Sequence, residues 1–113
     1  MKYEVYHLDW TRARALEPRL FADATLGARG NAIRALRQQG LYAQVASVEV
    51  GAADEEDALE DVYRLTNSID RHWTQNPEVR VTGNRQLRST SVGDLVCIED
   101  RCYLVAGVGF TRL

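Results

Sequence analysis

Two short apolar runs, Leu95-Val96-Cys97-Ile98 and Cys102-Tyr103-Leu104-Val105-Ala106, flank the polar Glu99-Asp100-Arg101, and this stretch limits the possible folds more than any other. Residues of these types suit a pleated, half-buried surface, and their separation is that of a β-hairpin. With Glu99 and Asp100 as the loop residues, Ile98 pairs with Arg101. Cys97 then lies opposite Cys102 in a non-hydrogen-bonded pair, where side chains approach most closely. A register one residue later separates the two cysteines. Gly93-Asp94 before the hairpin, and Gly107 and Gly109 after it, mark bends.

A chain of 113 residues is enough for one core and too short for two ordinary ones, so residues 1–113 are expected to form a single domain. Hydrophobic residues make up 45% and charged residues 27%, the balance of a globular chain and far from that of a disordered one. No apolar run approaches the length that spans a bilayer, and Glu4 and Asp9 interrupt the N-terminus where a signal peptide needs continuous apolar residues. The expectation is a cytoplasmic protein with no membrane partner. A net charge of −2 provides no overall positive field for nucleic acid or anionic lipid, which leaves only a local basic patch. Of the fourteen basic residues thirteen are arginine. Two cysteines in a cytosolic domain are usually reduced, and four intervening residues with no second Cys/His pair fall short of a zinc site. Neither a metal nor a cofactor is expected.

Along the chain, Tyr3 to Leu8 alternates as a strand, with Tyr3, Val5 and His7 on one face. Thr11 to Leu26 is ambiguous: Ala13, Leu16 and Leu20 have helical spacing, but Pro18 breaks an established helix and belongs in the first turn of a new one. That segment is read as one or two short helical turns. Asn31 to Gln39 reads as a helix capped by Asn31 and closed by Gly40. Tyr42 to Val50 follows as a strand, with Tyr42, Gln44, Ala46, Val48 and Val50 on one face. Asp54, Glu55, Glu56 and Asp57 open the next helix, where negative charge favours the positive end of the helix dipole, and Leu59, Val62, Thr66 and Ile69 line its inner face. Beyond Asn67 the chain is polar as far as Pro77, Val79 to Val81 is a short edge strand, and Gly83-Asn84 is a turn. The fold class is therefore α+β. A mostly antiparallel sheet of four or five strands carries the Asn31 and Asp57 helices on one face and ends in the C-terminal hairpin.

Asp70, His72 and the hydroxyls of Ser89, Thr90 and Ser91 are the raw material for a Ser/His/Asp arrangement, but no GxSxG, phosphate-cradling glycine loop or HExxH is present. A packing or capping role for His72 is favoured over catalysis, and His7, inside a strand, is a poorer candidate still. Recognition is the stronger idea. Trp73, with Arg71, Arg80, Arg85 and Arg88, has the aromatic and arginine mixture of protein interfaces and single-stranded nucleic acid sites. For Trp73 itself the favoured reading folds it over the core with its indole N–H on a loop carbonyl, since one aromatic is no stacking platform. The serine and threonine hydroxyls also suit local backbone bonds, and Arg88 is placed to pair with Asp70 or Asp94 or to face a partner. The expected partner-binding set is Asn67, Asp70, Arg71, His72, Trp73, Asn76, Arg88, Ser89 and Ser91, with no catalytic residue.

The run Leu59 to Asn67, then Asn76-Pro77-Glu78, then Arg88-Ser89-Thr90-Ser91-Val92-Gly93-Asp94-Leu95-Val96, and finally Tyr103-Leu104-Val105 with Gly109-Phe110, resembles small YodL-like and related proteins of phages, plasmids and conjugative elements. The resemblance covers the second half of the chain and is most specific in RSTSVGD with its trailing GF. It implies an α+β domain from mobile DNA and assigns no catalytic residue. Together with the small size, the acidic balance and the missing catalytic motif, it leads to the expectation of a non-enzymatic accessory protein that binds a host or element protein, inhibition of a host defence system being one such role. A nucleic-acid-binding module using the Arg71, Trp73, Arg80, Arg85 and Arg88 loop is the alternative.

Overall fold

In the computed structural model, which describes residues 1–68, 72–83 and 88–113, the hairpin register is the one the apolar runs require: Ile98 faces Arg101 and Cys97 faces Cys102. Glu99 takes φ 54°, the left-handed value that a primed two-residue turn needs at its first position. Cys97 and Cys102 are joined by a disulfide, so the reduced pair expected from the sequence is corrected. Their non-hydrogen-bonded register brings the two Cβ atoms together.

Strands β1 (Lys2–Leu8), β2 (Tyr42–Glu49), β3 (Val79–Val81), β4 (Leu95–Ile98), β5 (Arg101–Val105) and β6 (Phe110–Arg112) form one antiparallel sheet in the order β3-β2-β1-β4-β5-β6. Among the described residues four α-helices accompany it: α1 (Trp10–Leu16), α2 (Pro18–Gly27), α3 (Gly30–Gln38) and α4 (Glu55–Leu65). The fold is α+β, as expected, but the placement of the helices differs. Every residue of β4 is buried, so both faces of the sheet require cover. Tyr3, Val5, Val96 and Ile98 pack with Leu59, Val62 and Leu65 of α4. Leu8, Leu95, Cys97 and Leu104 pack with Ala13 of α1, Ala24 of α2, and Ile33 and Leu36 of α3. The Asn31 and Asp57 helices, expected together on one face, lie on opposite faces.

Local chemistry sets the element ends. Asp9 caps α1 by accepting from the Arg12 amide at 3.1 Å. Glu17 separates α1 from α2, and Pro18 opens α2 where its missing N–H is not needed. The ambiguous segment is thus two helices. Asn31 does not cap α3, which starts at Gly30; its side chain instead accepts from Arg34 at 3.0 Å. Gly40, at φ 72°, ends α3 as expected. Asp54 caps α4 by accepting from the Asp57 amide at 2.8 Å. In β2 the register slips at Val45, so Val5 faces Ala46 while Tyr6 faces Gln44. This bulge turns Tyr42 to the α1–α3 side, away from Ala46 and Val48. Strand β6 was not expected from the sequence; it follows a turn at Gly109, φ 71°, and pairs with β5.

Candidate functional site

Charged and polar side chains meet at the end of β1, inside the protein. Leu8 is followed directly by Asp9 and α1, so its amide has no sheet partner on the β4 side, and Asp94 Oδ1 accepts from it at 2.9 Å. Asp94 is fully buried and also accepts from the Ser91 amide at 2.8 Å and from both Arg88 guanidinium nitrogens, at 2.6 and 2.7 Å. Arg88 in turn donates to the carbonyls of Leu8 and Ser89, each at 3.0 Å, and lies 4.0 Å over the Trp10 ring. The two ends of the RSTSVGD segment are therefore tied to each other and to β1. Gly93, at φ 95°, has room for no side chain: a Cβ there would lie 2.9 Å from the Ala24 carbonyl oxygen of α2.

His7 joins this frame from the α4 side. Its Nε2 shares a 2.9 Å hydrogen bond with Thr90 Oγ1 and is 3.8 Å from Asp94 Oδ2. Burial lowers its pKa to about 4; the Asp94 carboxylate opposes that shift and the Arg88 guanidinium adds to it. The Tyr42 hydroxyl donates to the Gly93 carbonyl at 2.6 Å, and burial pushes its pKa well up. A hydroxyl, an imidazole and a carboxylate do come together, but around His7 and not His72. They do not form a relay, because the same imidazole nitrogen faces both Thr90 and Asp94, whereas a base must be oriented through its other nitrogen. Thr90 and Asp94 have no exposed surface and His7 retains 6%, so substrate has no route to them.

The expected partner-binding residues divide accordingly. Trp73 is 1% exposed and its indole N–H donates to the Arg88 carbonyl at 3.0 Å, the favoured core reading, so its place in the partner-binding set is corrected. Asn76 is buried as well, its amide donating to the Leu65 carbonyl at 2.7 Å and to Ser68 Oγ at 2.9 Å. Asn67 donates to the Thr90 carbonyl, and the Ser89 carbonyl accepts from Ser91 Oγ at 3.1 Å. His72 is exposed and caps a short 3-10 turn, Trp73–Gln75, with Nδ1 2.8 Å from Thr74 Oγ1. Asp70, Arg71 and Arg85, together with Ile69 and Asn84, lie outside the described residues. With Trp73 and Arg88 committed to the interior, the Arg/Trp loop does not assemble as a stacking platform around Trp73.

The open surface lies elsewhere. Between α4 and the β5–β6 edge runs a groove of about 250 Å³ lined by Glu56, Leu59, Glu60, Tyr103 and Phe110. It continues into a recess of about 140 Å³ under Tyr63, Val105 and Gly107. Tyr63 and Phe110 meet edge to face with ring centres 6.4 Å apart. Glu55 is tied to Arg101 at 3.2 Å, whereas Glu56 and Glu60 are exposed at the rim. Glu56, Glu60 and Tyr63 have helical spacing, so the signal for this wall was present in the sequence, hidden because the acidic run also serves as a helix start. Phe110 was visible only as part of the GF pair.

Among the described residues, no helix is long and apolar enough to cross a membrane, and no group of His, Cys, Asp and Glu is arranged to hold a metal ion. Searches of family models, curated proteins and solved structures find no match to this chain.

Proposed function

We propose that this chain is a non-enzymatic accessory protein of a phage or other mobile element, acting by binding a host or element protein at the α4–β6 groove. A defence protein of the host is the partner class this role favours. The observation that carries the reading is the contrast between the groove and the polar frame. The hydroxyl, imidazole and carboxylate that chemistry would need are sealed inside the protein. The groove is open, aromatic and rimmed by carboxylates. Aromatic walls contribute large contact area at low entropic cost, and carboxylates at the rim favour a partner segment with exposed lysine or arginine. The resemblance of the Leu59 to Phe110 region to proteins of mobile elements supports the same role.

The test is a tagged pull-down from nuclease-treated lysate of the organism that encodes the protein, using wild type and a Glu56→Lys/Glu60→Lys variant. The expected result is a stoichiometric protein that survives nuclease with wild type and is lost with the variant. No enriched protein, or one retained equally by the variant, contradicts the reading.

A further inference from the structure

The layer formed by α1–α3 carries six exposed arginines, Arg12, Arg14, Arg19, Arg29, Arg34 and Arg37, against three carboxylates, the α1 cap Asp9, Glu17 and Asp23. Among the described residues none of the six makes an ion pair with a carboxylate. Arginines elsewhere do so: Arg64 with Asp61, Arg88 with Asp94 and Arg101 with Glu55. Like charges left uncompensated on one layer repel each other, and they give that side a positive potential that the net charge of −2 conceals. A cleft of about 550 Å³ between α2 and α3 brings Arg29 and Arg34 to one opening, with Asp23 and Asn31 also in its lining.

We propose that the α1–α3 layer binds double-stranded nucleic acid through its phosphate backbone, without reading base sequence. Guanidinium groups stay charged at any physiological pH and match phosphate oxygens with two parallel donors. Cations spread over three helices suit a repeating polyanion better than a single phosphate. Helix α2, ten residues long, spans about 15 Å, and a duplex presents roughly nine charges over that length. Single strands are held largely by stacking on open aromatic faces. The two aromatics of this layer, Trp10 and Phe21, are committed to each other edge to face, with Arg88 over the first and Arg14 over the second. The layer therefore favours a duplex.

Fluorescence anisotropy with a labelled DNA duplex of about 20 base pairs tests this, with the single strand and the corresponding RNA duplex as parallel probes. If four phosphates are contacted, affinity for duplex falls roughly a hundredfold between about 50 and about 200 mM salt. An Arg12→Gln/Arg19→Gln/Arg29→Gln/Arg34→Gln variant is expected to bind at least about tenfold more weakly with a shallower salt slope, while retaining the wild-type circular dichroism melt. A Glu56→Gln/Glu60→Gln variant is expected to bind duplex as wild type does. No saturable binding at about 50 mM salt, or equal binding by the arginine variant, overturns the proposal. Tighter binding of the single strand than of either duplex overturns the duplex assignment.

Discussion

The two helical layers are built by different means. On one face lies α4, with a side-chain cap at Asp54 and Glu55, Glu56 and Asp57 in its first turn, where they favour the helix dipole. On the other, α1 has a side-chain cap at Asp9, but α2 and α3 have neither such a cap nor an acidic first turn, and at ten and nine residues they are slightly shorter than α4. Helices of that length are marginal in isolation, so packing must hold them, through Ala13, Ala24, Ile33 and Leu36 against the sheet. The capped layer carries six carboxylates and one arginine from Asp54 to Leu65, whereas the packed layer has the opposite balance. Summing charge over the whole chain cancels the two. A net charge near zero thus says little about a thin domain whose sheet separates its charges.

Beneath both layers lies the polar frame, and disturbing it should break the contrast most severely. Asp94→Asn removes the charge that faces Arg88 and keeps only one acceptor oxygen, so one Arg88 nitrogen and either the Leu8 or the Ser91 amide meet an NH2 donor instead. It should cost about 3–5 kcal/mol in urea denaturation, loosening both layers together. A loss below about 1 kcal/mol would mean that the frame does not join them.

Acid should act from the α4 side, through His7. The groups facing its imidazole are Thr90, Asp94, Arg88 and the Trp73 ring. Because its folded pKa, about 4, lies below the unfolded value of 6.5, the unfolded chain takes up the proton first. The stabilisation is complete above pH 6.5 and is lost as pH falls toward about 4, a change of up to roughly 3 kcal/mol. Comparing the stability of wild type and His7→Gln across that window isolates this contribution, since the variant should lack this part of the slope. Parallel profiles would exclude His7 as its source.

Gly93→Ala acts from the other side, since the new Cβ meets the Ala24 backbone of α2 at a φ that alanine resists. About 2 kcal/mol should be lost, with the amides of α2 and α3 exchanging faster than those of α4. Uniform acceleration would show that the two layers unfold as one.

The C-terminal hairpin was legible because two apolar runs and a two-residue loop leave few registers, and the same register placed Cys97 against Cys102. Gly40 was legible as a helix stop, and the burial of Trp73 was one of two stated outcomes. Other features depend on tertiary contacts that local spacing does not encode. The bulge at Val45 leaves no trace in a strand that reads as plain alternation, and Glu99 occupies a left-handed position without the glycine or asparagine that usually announces one. His7 looked like a strand residue because its partners, Thr90 and Asp94, are more than eighty positions away. Placing α3 and α4 on one face overlooked that β4, apolar at all four positions, demanded cover on both. The RSTSVGD segment serves this fold as a frame: Arg88 and Asp94 close it and Gly93 admits α2.

Taken together, the two proposals make the helical layers separate binding surfaces of opposite charge. The most direct measurement carries the four-arginine variant and the Glu56→Lys/Glu60→Lys variant through both assays, nuclease-resistant pull-down and duplex anisotropy. The arginine variant should lose duplex and keep the protein partner, and the glutamate variant should keep duplex and lose the partner. Loss of both activities in either well-folded variant, or of neither in both, would contradict that separation.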